Sequence, residues 1–145
     1  MVILAAVEDN EYAEEVVRVA ADMARAYDDE LVAVHVVPQG EFLQDRQGTS
    51  LASVDAEPIE QAEREAADTA SAVVERALDE PVAVTAEGRI DDPADGILSV
   101  AEDVDASFVV VGARRRSPVG KAVFGSTTQS VLLGSERPVV TVMEE

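Results

Sequence analysis

Residues 107–129 read SFVVVGARRRSPVGKAVFGSTTQ and hold a strand, a long loop and the start of a helix. The apolar run Ser107–Val111 has the composition of a strand that is covered on both faces. The connection Ala113–Gly125 is longer than the roughly 2–6 residues usual between a strand and a helix. A helix is predicted over Ser126–Ser135. Long loops in compact domains tend to carry function, so this connection is a candidate site.

The same alternation of apolar runs and helical periods extends over the rest of the chain. It predicts strands at Val2–Val7, Leu31–Val37, Val82–Glu87 and Pro138–Met143, and helices beginning at Asn10, Pro58 and Asp91-Asp92-Pro93. Apolar strands separated by single helices favour right-handed crossovers in a parallel sheet. We therefore predict a three-layer α/β fold with five strands and four helices. Its ligands should bind beyond the carboxyl ends of strands one, two and four.

Some polar and aromatic residues have a structural interpretation. The segment Gln39–Ala56 is rich in glycine, serine and threonine, and it is predicted to be a long mobile loop. Asn10 is predicted to cap the first helix. Tyr12 and Tyr27 lie on the apolar side of that helix and are predicted to be core residues. His35 is flanked by valines, and we interpret it as a core or interface histidine rather than a base.

The composition is strongly acidic and lacks cysteine. The 145 residues include 30 Asp and Glu against 11 Lys and Arg, a formal net charge of −19. Without cysteine there is no disulfide framework, thiolate metal site or cysteine nucleophile. We expect adaptation to high salt, because the Debye length falls to about 3 Å in molar salt. An acidic protein from ordinary salt is the alternative. The charge disfavours nucleic acid as a partner.

The opening run Met1–Val7 is apolar but only seven residues long, and Glu8-Asp9-Asn10 follows it directly. It lacks a preceding basic region, so it is interpreted as a strand rather than a signal peptide. No apolar run approaches the roughly 20 residues that cross a bilayer. We therefore expect a cytoplasmic protein without membrane contacts.

Basic residues cluster in the long loop, where four of the chain's 11 lie within eight positions: Arg114, Arg115, Arg116 and Lys121. Hydroxyl residues at a helix start follow them. Free N–H groups, hydroxyl donors and guanidinium groups together favour a phosphate ligand. Ser126 and Gln129 also fit a capping box, so Ser126 is either a cap alone or a cap that contacts ligand. A solvated surface run is the alternative for the arginines.

The sequence contains neither Gly-x-x-x-x-Gly-Lys-[Ser/Thr] nor Gly-x-Gly-x-x-Gly. Instead, Gly112-Ala-Arg-Arg115, nine further residues and Gly125-Ser126 resemble the signature Gly-x2-Gly-x9-Gly-[Ser/Thr] of the universal stress protein family. The resemblance covers the whole chain, including His35-Val36-Val37 after the second strand's core. Two positions depart from the pattern. Arg115 replaces the second glycine, and Glu8 replaces the aspartate usual after strand one.

The resemblance implies an adenine-nucleotide alpha-hydrolase-like fold with a sheet of order 3-2-1-4-5. It also implies a homodimer. In one subclass of the family ATP or a related nucleotide, AMP or ADP, binds across the strand ends. The adenine would lie near Ala6 and Val36, Glu8 would hold the ribose, and Mg²⁺ could accompany the phosphates. The residues expected at the site by this resemblance are Ala6, Glu8, Val36, Val111, Gly112, Arg114, Arg115, Gly125, Ser126, Thr127 and Thr128.

Three functions are compatible with these observations. The first is a stress-response protein that binds ATP and signals through an unidentified protein partner. Catalysis is not needed for this function; slow ATP hydrolysis stays open as an alternative, although the loop supplies no obvious base to activate water. The second is a nucleotide-free dimeric scaffold, which the departures at Arg115 and Glu8 favour. The third is an enzyme acting on a phosphorylated metabolite. The last strand, Pro138–Met143, is predicted to be a sheet edge. Together with the resemblance, this predicts a two-fold dimer through that strand.

Overall fold

The computed structural model describes residues 1–10, 12–46, 50–80, 82–114 and 125–144. The side chains of residues 45, 46, 114 and 144 are outside this description. The strands are β1 (Val2–Ala6), β2 (Glu30–Pro38), β3 (Val84–Asp91), β4 (Ala106–Arg114) and β5 (Val139–Glu144). The helices are α1 (Ala13–Tyr27), α2 (Gln39–Arg46), α3 (Ala56–Ala77), α4 (Pro93–Asp103) and α5 (Ser126–Gly134), with a 3-10 turn at Leu51–Ser53.

The five strands form one parallel sheet of order β3-β2-β1-β4-β5, which confirms the predicted fold class and order. Ile3 of β1 is paired with Leu31 of β2 and with Phe108 of β4, so β1 lies at the centre. The chain adds strands on one side of β1 and then crosses to the other side. The order therefore reverses between β1 and β4, where open α/β sheets bind ligands.

Helices cover both faces of the sheet. On one face, α1 and α3 pack on a core that includes Ile3, Val17 and Val73. On the other face, α4 and α5 enclose residues such as Val100 and Val131. Apolar side chains of the central strands are buried on both faces, and this explains their near-continuous hydrophobic runs.

The prediction of a mobile loop over Gln39–Ala56 is wrong. The structure places α2 and the 3-10 turn there, which makes five α-helices in the described residues rather than four. Phe42 and Leu43 are only 4% and 8% exposed, and they pack with Ile90 of β3 in a small separate core. The segment has weak amphipathic character of its own, so these long-range contacts rather than local periodicity hold the helix.

Two further predictions need correction. Strand β3 runs over Val84–Asp91 rather than Val82–Glu87, because β2 continues to offer main-chain partners as far as the pair Pro38 and Asp91. Tyr12 and Tyr27 are not core residues, since they are 39% and 58% exposed. The ring of Tyr27 stacks on Phe108 at a centroid distance of 5.5 Å, which covers one face of the ring and leaves the other in solvent.

Candidate functional site

A cavity of about 770 Å³ lies at the carboxyl ends of the strands, beside the position where the strand order reverses. Nine of the eleven predicted site residues line it: Ala6, Glu8, Val36, Val111, Gly112, Gly125, Ser126, Thr127 and Thr128. The main chain of Arg114 ends β4 beside the cavity, but its side chain is outside the description. Arg115, Arg116 and Lys121 lie outside the described residues. The volume is in the range, about 300–1,000 Å³, that is usual for small-molecule sites.

One wall of the cavity is apolar. Ala6, Val36 and Val111 belong to the strand face that α4 and α5 cover, and all three reach the cavity. Ile97 and Pro93, at the start of α4, extend the same wall. Such a surface suits a flat, weakly polar ring, because a polar group buried against it without a hydrogen bond would cost free energy.

The amino end of α5 forms another part of the cavity. Gly125 is the N-cap residue and Ser126 the first residue of the helix, so Ser126 does not form the predicted capping box. The first N–H groups of a helix have no partner within it, and the helix dipole favours an anion there. Among the described residues, a Cβ added at Gly125 would meet no atom within 4 Å. The glycine is therefore not required by packing, and it leaves open space in front of the helix.

Thr128 ties this helix to the end of β4. Its side chain is 9% exposed, and its hydroxyl donates to the carbonyl of Gly112 at 2.9 Å. A hydroxyl has a single hydrogen to donate, so the group that Thr128 can offer to an anion is its main-chain N–H. Thr127 is half-buried and Ser126 exposed, and both residues line the cavity.

The opposite side of the cavity follows β1. The side-chain amide of Asn10 donates to Glu8 Oε2 at 2.9 Å, while its oxygen accepts from the N–H groups of Tyr12 and Ala13, each at 3.0 Å. The side chain of Asn10 thus supplies a capping oxygen as predicted, but α1 begins at Ala13 and its N-cap position is Tyr12 rather than Asn10. His35 lines the cavity and its Nδ1 lies 2.8 Å from the carbonyl oxygen of Val7.

Sequence reasoning missed two of these roles. Neither the bond between Asn10 and Glu8 nor the position of His35 at the cavity follows from local pattern. The bond from Asn10 joins residues two apart in an irregular turn, and His35 meets a residue 28 positions away. The predicted cap at Asn10 was the available signal for the bond to Glu8. When the oxygen of a side-chain amide caps a helix, its nitrogen can still donate to another group.

The charges of the described cavity lining are acidic. Its ionisable side chains are those of Glu8, Tyr12, Glu15 and His35, and Glu15 is paired with Arg18 at 3.1 Å. The described lining contains no lysine or arginine, so a cationic contribution would have to come from residues 114–121. In the described part of the chain, no group of three or more His, Asp and Glu residues is placed to hold a metal ion.

A parallel α/β sheet with an apolar cavity and a helix amino end at its switch point places this chain among the open α/β proteins, whose ligand sites lie at that position. The family model of the universal stress proteins matches residues 1–143. The chain belongs to the universal stress protein family. No helix among the described residues is long and apolar enough to cross a membrane.

Individual relatives agree with the family assignment. A universal stress protein from Mycolicibacterium smegmatis is 39% identical over 51 residues, which is 35% of this chain and 39% of that protein. The matched part is thus less than half of that relative's length. A universal stress protein from Archaeoglobus fulgidus shows 30% identity and a TM-score of 0.66, with 97% of each chain covered. A structure of the universal stress protein from Archaeoglobus fulgidus in complex with dAMP shows 26% identity and a TM-score of 0.61, with 97% of this chain and 96% of that chain covered.

Proposed function

We propose that this chain binds an adenine nucleotide in the cavity at the strand ends, with ATP as the preferred ligand. The observation that carries the proposal is the pairing of an apolar wall with an open helix amino end across one cavity of about 770 Å³. The wall suits a purine ring, and the free N–H groups at Ser126 and Thr127 suit phosphate oxygens. A structural neighbour with 26% identity is a complex with dAMP, which supports the same class of ligand.

The orientation follows from charge. Glu8 and Glu15 on the β1 side would repel phosphates, whereas the α5 side offers N–H groups and hydroxyls. The nucleotide would therefore place its sugar near Glu8 and its phosphates at Gly125 and Ser126. Mg²⁺ would then be held chiefly by the phosphates, because the described residues supply no cluster of ligands for it.

The binding test uses calorimetry in molar KCl, with ATP and AMP as ligands. The double variant Gly125→Val and Ser126→Ala should lose nucleotide affinity. It should still fold, because a side chain at position 125 meets no atom within 4 Å at the Cβ and the backbone is extended there, with φ −66° and ψ 166°. Ser130→Ala, in the same helix but outside the cavity lining, is the matched control. If ATP binds the double variant and the native chain equally, the site is misplaced.

The nucleotide-free scaffold remains the second candidate, since Arg115 and Glu8 depart from the family pattern. The two functions are distinguished by whether acid extraction of the purified protein releases a nucleotide. Absorbance at 260 nm in an acid extract, or calorimetric binding of ATP, supports the first. A protein that carries no nucleotide and shows no heat with ATP in molar KCl supports the scaffold.

We also propose that two copies associate through β5, and that the dimer transmits the bound state to a protein partner. β5 is an edge strand, and its residues from Val139 to Met143 are half-buried in the single chain. An edge with unpaired main-chain groups and apolar side chains favours pairing with a second copy. Sedimentation in molar KCl should show a species of twice 15.4 kDa, and a species of 15.4 kDa alone would contradict the dimer.

A further inference from the structure

The turn between β1 and α1 is built around one side-chain amide. Asn10 Oδ1 accepts from two main-chain N–H groups, those of Tyr12 and Ala13, and this fixes which end of the amide faces the helix. The nitrogen must then face the other way, and there it donates to Glu8 Oε2 at 2.9 Å. All three contacts require the same orientation of the amide, so its position is determined by the hydrogen bonds themselves.

The main chain from which Glu8 projects is also fixed. The N–H of Val7 donates to the carbonyl of Val34 at 2.8 Å, and His35 Nδ1 lies 2.8 Å from the carbonyl oxygen of Val7. Because a carbonyl only accepts, Nδ1 of His35 carries a proton and donates. Both polar groups of Val7 are therefore held by β2. Glu8 follows directly on this held residue.

A glutamate side chain has one more rotatable bond than the aspartate usual at this family position, and an exposed one samples many rotamers. The bond from Asn10 goes to Oε2, so Oε1 takes no part in it, and Glu8 lines the cavity. A carboxylate that is held before ligand arrives loses less conformational entropy on binding. The bond from Asn10 thus offsets the extra freedom of the longer side chain.

We propose that Asn10 is a positioning residue: it holds the Glu8 carboxylate so that its free oxygen accepts from the sugar hydroxyls of the ligand. This inference rests on the proposed nucleotide binding. Asn10 does not itself need to touch the ligand. Through Glu8, it would make the site selective for a sugar that carries hydroxyl groups.

The test compares AMP with 2′,3′-dideoxy-AMP, which lacks the hydroxyls, by calorimetry in molar KCl. Asn10→Ser keeps a capping oxygen for α1 and introduces no charge, but it loses the amide nitrogen that donates to Glu8, and its hydroxyl lies closer to the main chain. We expect the native chain to bind AMP more tightly than the dideoxy analogue. In the variant, the ratio of the two affinities should fall about tenfold, which is the effect of losing a hydrogen bond to a charged group. Affinity for the dideoxy analogue should change little. Asn10→Asp, which also keeps the cap but repels Glu8, should show at least the same loss.

A readout without ligand separates positioning from capping. Hydrogen exchange at the N–H of Ala13 should remain protected in Asn10→Ser, because the serine oxygen still caps the helix. If the variant keeps the native preference for AMP over the dideoxy analogue, the positioning role is refuted and nucleotide binding stands. If the preference falls together with that protection, Asn10 acts through the helix cap alone and the positioning role is again refuted. If the native chain binds neither nucleotide, the proposed function and this inference both fail.

Discussion

Gly88 is the glycine of the sheet at which an added methyl group should lower the stability of the fold most. An ideal Cβ there would lie 2.0 Å from the carbonyl oxygen of Glu63, 2.5 Å from the nitrogen of Ala67 and 2.8 Å from the Cβ of Ala66. Two of these atoms are main chain of α3 and cannot rotate away. Gly88 also pairs with His35 in the sheet, so β3 cannot withdraw without breaking its contact with β2.

The cost of Gly88→Ala follows from this geometry. The nearest atom must move by about 1 Å before the contact reaches the 3.0 Å limit of real structures, and α3 must carry its buried residues with it. Overpacking of a well-packed interior costs roughly 1–3 kcal/mol, and we expect about 3 because the obstruction is main chain. That is a large part of the roughly 5–15 kcal/mol that stabilises a typical domain.

Urea unfolding followed by circular dichroism in molar KCl measures this cost. With a slope of about 1–3 kcal/mol per molar urea, the midpoint of Gly88→Ala should fall by roughly 1–3 M. Gly40→Ala is the matched control, because a Cβ at this exposed position in α2 meets no atom within 4 Å. Its stability should stay level or rise by about 0.5–1 kcal/mol. Equal midpoints for Gly88→Ala and the native chain would refute the close approach of α3.

Three further predictions concern a buried hydroxyl, the helix at the site and the acidic surface. Ser107→Ala should raise the free energy of unfolding by about 1 kcal/mol, since the buried Ser107 Oγ has no partner among the described residues; an unchanged urea midpoint would contradict this. Thr128→Val should lower stability by about 1 kcal/mol through loss of the bond to Gly112, and it should weaken ATP binding measured by calorimetry. Thr127→Val is its control for stability. Dialysis from molar KCl into dilute buffer should unfold the chain because a net charge of −19 is then unscreened, and native circular dichroism in dilute buffer would refute adaptation to salt.

The fold could be predicted well because its elements carry strong local patterns. The apolar runs of β1, β2 and β4 are buried on both faces, and their composition alone indicates such strands. The start of α4 was also readable, since Asp92 precedes a proline and its carboxylate accepts from the N–H of Asp95 at 3.2 Å. α2 was missed because its short sequence has no clear apolar stripe, and Phe42 becomes buried only against Ile90, far away in the chain.

The candidate site also has a part that the sequence predicted and a part that it did not. The sequence by itself determined that the candidate site residues follow β1, β2 and β4, because strand ends of a parallel sheet converge at one edge. Only the tertiary structure decided which atoms remain free for a ligand. Thr128 gives its hydroxyl hydrogen to Gly112, and His35 gives the Nδ1 proton to Val7, each across many residues. Periodicity records which side chains are buried, whereas a hydrogen bond between distant segments depends on the register and distance that packing sets.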